Sequence, residues 1–80
     1  MAESLMFKRI EITPKKLGGK PVIKGTKIPV HLILEMLAEG MSAEEILKEH
    51  PELEKEDIRA AIGYASRILS KEVLYEVPAR

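Results

Sequence analysis

Apolar positions alternate at the front of the chain and then switch to helical spacing. Ile10 and Ile12 flank Glu11, so residues 5–12 (LMFKRIEI) predict a strand. Thr13-Pro14 ends it, because proline has no N–H for a ladder. Residues 15–19 predict a loop in which Gly18-Gly19 are free to take positive φ. Residues 21–29 (PVIKGTKIP) predict a tight hairpin, or two short extended pieces, around Gly25-Thr26.

Three helical segments follow. The first starts at Pro29, suited to a first turn because its missing N–H would have no partner there. It runs to about Glu39 and stops at Gly40, a left-handed C-terminal cap. Its polar residues His31, Glu35 and Glu39 form one narrow stripe, and apolar side chains cover the rest of its circumference. A helix of that kind is normally buried on several sides. Each large side chain left in water forgoes about 1.5–3 kcal/mol. The pattern predicts either a homodimer interface at Leu32 and Met36 or a cover provided by the β segment. The second helix opens with Ser42 and Glu45, a capping box, inside a Met41–Ile46 hydrophobic staple, and closes at His50-Pro51. The third repeats that syntax twelve residues later: Leu53 and Ile58 form the staple, Asp57 takes the place of Glu45, and Glu54 replaces the serine as a weaker N-cap. Ile58, Ala61, Ile62, Ala65, Ile68 and Leu69 then predict a buried stripe reaching Ser70 or Lys71.

The expected fold class is mainly α: a three-helix, homeodomain-like helix-turn-helix core with a short N-terminal β strand and a β hairpin. Residues 1–80 read as one domain, with a β arm at 5–29, the core at 30–71 and a C-terminal tail or strand at 72–80.

Composition narrows the class of protein. Apolar residues make up 45% and charged residues 32% of the chain, a globular balance. There is no cysteine, so disulfides and thiolate metal sites are excluded. No apolar run approaches the roughly 20 residues of a membrane span, and residues 1–9 lack signal-peptide order, so a cytoplasmic location is expected. The chain also lacks Asn and Gln and is rich in Glu and Lys, which suggests a thermophilic prokaryote. Net charge is zero, yet residues 1–30 hold seven bases and two acids while residues 31–80 hold six bases and eleven acids. Such a split can mark a nucleic-acid contact, self-association or a merely solvated surface.

Residues 19–30 (GKPVIKGTKIPV), the helix end at Glu39-Gly40-Met41-Ser42, then Ile46-Leu47, His50-Pro51-Glu52-Leu53, Glu56-Asp57-Ile58 and Ala60-Ala61 together resemble the prokaryotic family called domain of unknown function 433. The resemblance covers roughly residues 10–66. It implies a homeodomain-like core and kinship with VapB-type antitoxins, which pair with a PIN-like nuclease toxin. Thr13 before Pro14, where an acid is usual, and Glu54, where Thr or Ser is usual, depart from the pattern.

Catalytic chemistry finds no support. Gly18-Gly19-Lys20 is followed by Pro21 and a strand, whereas a phosphate-binding P-loop leads into a helix. His31 and His50 lack metal-ligand spacing, and the acids Glu52, Glu54, Glu56 and Asp57 surround a helix N-terminus, where negative charge is stabilised in any case. The expectation is a non-enzyme with no catalytic, cofactor or metal residues. Duplex DNA is a closer question. Lys16, Lys20, Lys24 and Lys27 make the arm the better electrostatic candidate. Lys55, Arg59 and Arg67 form a second row, which pairing with neighbouring acids would explain as well. The leading expectation is therefore a dimeric antitoxin that grips its toxin through Val73, Leu74, Tyr75 and Val77 and contacts operator DNA. The alternatives are a stand-alone DNA-binding regulator and a purely structural dimerisation module.

Overall fold

The structure is a computed structural model that describes residues 8–70. Strand β1 (Ile10–Glu11) pairs antiparallel with β2 (Val22–Ile23), with Ile10 opposite Ile23 and Glu11 opposite Val22. A 3-10 turn at Leu17–Gly19 joins them, with positive φ at all three residues. Helices α1 (Val30–Ala38), α2 (Ala43–Glu49) and α3 (Lys55–Ser70) follow. The molecule is thus mainly α, with α2 and α3 in helix-turn-helix order and α1 packed chiefly on α3.

The strand is much shorter than the pattern over residues 5–12 predicts. Residues 8 and 9 are helical, and residues 5–7 lie outside the described residues. The ladder is short because its partner is short: Pro21 brings no donor at one end, and at the other Lys24 N–H bonds the Arg9 carbonyl (2.8 Å) before the chain turns. Ile12, beyond the ladder, is exposed. The hairpin expected around Gly25-Thr26 is present. Thr26 Oγ1 donates to the Ile23 carbonyl (2.8 Å) and accepts from Ile28 N–H (3.0 Å), and Ile23 N–H reaches the Ile28 carbonyl (3.0 Å).

Pro29 stands one residue outside α1. Its ψ of 149° keeps it extended, opposite Val22 in an isolated bridge. The far end is a Schellman motif: Met41 N–H bonds the Met36 carbonyl (3.1 Å), Gly40 N–H bonds the Leu37 carbonyl (3.0 Å), and Gly40 takes a φ of 97°. Of the two covers proposed for α1, the β segment is the one observed. Val22, Ile23 and Ile28 join Val30, Ile33 and Met36 among the buried residues. Met36 is therefore a core residue and not a partner contact, and Leu32 is half-buried against the same core.

Helix α3 departs most from expectation. Ile58 and Ala61 are buried as predicted, and Ala60 with them, but Ile62, Ile68 and Leu69 are 48%, 43% and 67% exposed. Sixteen residues of α3 rise about 24 Å and nine of α1 only about 14 Å, so α1 alone cannot cover α3 along its whole length.

Candidate functional site

Two surfaces and one internal clamp carry the chemistry of the described residues. The clamp lies at the start of α3. Asp57, in its first turn, is only 5% exposed. Asp57 Oδ2 accepts from the Glu54 backbone N–H (2.8 Å), and Oδ1 accepts from Arg9 (2.9 Å). The same Arg9 nitrogen reaches Glu54 (3.0 Å). Bonds to Asp57 first and Glu54 second raise the Arg9 pKa further, so its charge persists across the usable pH range. The clamp ties the arm to α3, and an open cleft of about 520 Å³ beside it is lined by Lys8, Arg9, Lys24, Glu52, Glu54 and Asp57. Mixed charge there offers neither an anion nor a cation a single-signed field. No group of three or more His, Cys, Asp or Glu placed to hold a metal occurs among the described residues.

The first surface is the basic arm. Lys20, Lys24 and Lys27 are exposed and form no ion pair among the described residues. Lys16 behaves differently: it pairs with Glu11 (3.1 Å) and donates to the Thr26 carbonyl (3.3 Å), so it braces the arm. On α3, Lys55 and Arg59 are exposed and form no ion pair among the described residues, whereas Arg67 is half-buried and already engaged. The first turn of α3, which meets bases in many helix-turn-helix proteins, here carries Glu54, Glu56 and Asp57 and has the arm docked on it.

The second surface is apolar. A groove of about 310 Å³ runs between the start of α1 and the end of α3, lined by Pro21, Val30, Leu34, Tyr64, Ile68 and Leu69 among others. Sequence reading assigned Ile68 and Leu69 to the core and did not find this groove, because its walls come from three separate segments. Val73, Leu74, Tyr75 and Val77, the other expected partner contacts, lie outside the described residues.

With this geometry in place, the chain can be set beside known proteins. The family model described as "Protein of unknown function (DUF433)" matches residues 10–65. The chain belongs to the DUF433 family. A crystal structure of a DUF433 member from Anabaena variabilis superposes with a TM-score of 0.74 at 30% identity, covering 86% of this chain and 68% of that one. The uncharacterized protein y4eO of Sinorhizobium fredii is 43% identical over 53 residues, 66% of this chain. The match spans 24% of the length of y4eO, so this chain matches about a quarter of that relative.

Proposed function

We propose that this DUF433 chain is the antitoxin member of a toxin–antitoxin pair in a prokaryotic cytoplasm, binding a PIN-like nuclease toxin. The observation that carries the reading is the apolar end of α3. Ile68 and Leu69 line the groove and, with Ile62, are exposed, and the sequence that follows supplies Val73, Leu74, Tyr75 and Val77. Small proteins seldom leave contiguous apolar surface open unless another macromolecule covers it. A sequence with apolar anchors of this kind suits binding by folding onto the toxin or by strand addition. The test is neutralisation in a host. Cells expressing the nuclease encoded beside this gene are expected to grow only when the chain is co-expressed, and to stop growing when it is truncated after Lys71. Growth arrest despite the intact chain, or rescue unaffected by truncation, counts against this reading.

Operator DNA is a second contact favoured by one observation: Lys20, Lys24 and Lys27 are exposed and unpaired among the described residues. The acidic first turn of α3 argues that the arm, and not that turn, meets the phosphates. Binding to operator duplex is then steeply salt-dependent and falls when the three lysines are replaced by alanine. No retardation of the duplex at low salt removes this contact.

A further inference from the structure

The bases of the arm divide into those that brace it and those left for a partner. Lys16 is engaged by Glu11 and the Thr26 carbonyl, and Arg9 by the start of α3. Lys24 forms no ion pair among the described residues, yet acids are close at hand. Its backbone N–H bonds the Arg9 carbonyl (2.8 Å), one step beyond the Ile10–Ile23 pair of the ladder. The side chains of Lys24 and Arg9 line one cleft together with Glu54 and Asp57. Two cations therefore stand near the same two carboxylates, and one of them takes both. A single Arg9 nitrogen lies 2.9 Å from Asp57 and 3.0 Å from Glu54. The choice of Arg9 has a physical reason. Asp57 is 5% exposed, and a guanidinium is more weakly hydrated than an ammonium, so it loses less on approaching a buried carboxylate. Glu52, in the same lining, forms no ion pair among the described residues.

We propose that Arg9 is a positioning residue for the DNA contact of the arm: by holding Asp57 and Glu54, it leaves the Lys24 ammonium free for a phosphate. This role rests on the reading of the arm as an operator contact, and it names the internal contact on which that reading depends. Without Arg9, Asp57 is a nearly buried carboxylate that lacks its cation, a costly state. Lys24, bonded through its backbone to residue 9 and lining the same cleft, is placed to supply one. A lysine drawn onto Asp57 or Glu54 neutralises no phosphate and releases no counterion. Lys20 and Lys27 do not line the cleft, so they keep their phosphates. The loss is confined to one lysine. That separates this role from a displaced arm, which would weaken all three lysine contacts.

The test measures affinity of the full chain for a short duplex of mixed sequence across a salt series, since phosphate contacts are independent of sequence. Arg9→Ala, with its helical circular dichroism intact, is expected to bind severalfold more weakly. Its slope of log affinity against log salt is expected to be shallower by about 0.9, the share of one phosphate. Lys24→Ala is expected to do the same, and the Arg9→Ala, Lys24→Ala double variant to bind no worse than either single one. On a Lys20→Ala or Lys27→Ala background the Arg9→Ala loss is expected in full. Should Arg9→Ala not fold, Arg9→Gln, which keeps a donor for Asp57 without the charge, carries the same cycle. Additive losses at Arg9 and Lys24 overturn the proposal, because they report a direct Arg9 contact or an arm that no longer sits on α3. So does an Arg9→Ala loss that disappears on a Lys8→Ala background and persists on Lys24→Ala. A wild-type chain that fails to bind the duplex at low salt removes the operator reading and this role together. Wild-type binding that Arg9→Ala leaves unchanged removes this role alone, so the two failures are distinguishable.

Discussion

At the start of α2, Ser42 Oγ accepts from Glu45 N–H (3.1 Å) and Glu45 Oε1 accepts from Ser42 N–H (2.8 Å). At the start of α3, Asp57 makes the corresponding return bond to Glu54 N–H (2.8 Å), but position 54 has no hydroxyl to complete the exchange. Arg9, 48 residues away, takes the other carboxylate oxygen of Asp57 instead. The two helix ends look alike in sequence and are held by different physics. The α2 cap closes within four residues and is exposed to solvent, so its strength is local. The α3 cap is completed by the arm, so the helix start and the β segment stabilise each other across the fold. A weak local cap was replaced by a tertiary one, and the replacement joins two parts of the molecule that α2 leaves separate.

The comparison can be tested by substitution, beginning with the side chain on which most depends. Asp57→Ala leaves the Glu54 N–H and the Arg9 guanidinium without their partner, and should cost about 1–3 kcal/mol, read as the largest drop in melting temperature of the set. Arg9→Ala should come next, because the local return bond survives while the arm loses its tether. Its signature is faster amide exchange at Ile23 and Lys24, with exchange in α2 unchanged; equal acceleration in both places would mean general destabilisation and no specific tether. Ser42→Ala should cost about 1 kcal/mol by denaturant unfolding, and a double-mutant cycle with Arg9→Ala should show no coupling, since the two caps share no partner. Glu54→Ser should be smallest, within a few tenths of a kcal/mol. It gains a hydroxyl cap and loses an exposed ion pair, and a large loss would show that the Arg9–Glu54 contact matters more than its 67% exposed carboxylate suggests.

The groove and the clamp were hidden from sequence reading for one reason. Arg9 and Asp57, or Pro21 and Leu69, are not neighbours at any helical or strand period, so no spacing argument brings them together. The misplacement of Ile62, Ile68 and Leu69 has a related origin. A periodic stripe shows which face of a helix is apolar, but not how far along its length other elements reach. The capping box, the Schellman end at Gly40 and the halt at His50-Pro51 were legible because each joins residues within a few positions.

From its own pattern the sequence determined, to within about a residue, where α1 and α2 start and stop and where α3 starts, that the Gly25-Thr26 turn is tight and that the arm is basic. Those outcomes rest on backbone geometry and hydrogen bonds local to each segment. Only the tertiary structure decided which apolar residues are buried, that Met36 belongs to the core, that Arg9 completes the cap of α3, and that this helix ends in an uncovered apolar face. Burial is a property of what lies opposite a side chain, and the chain distance between such neighbours carries no record of it.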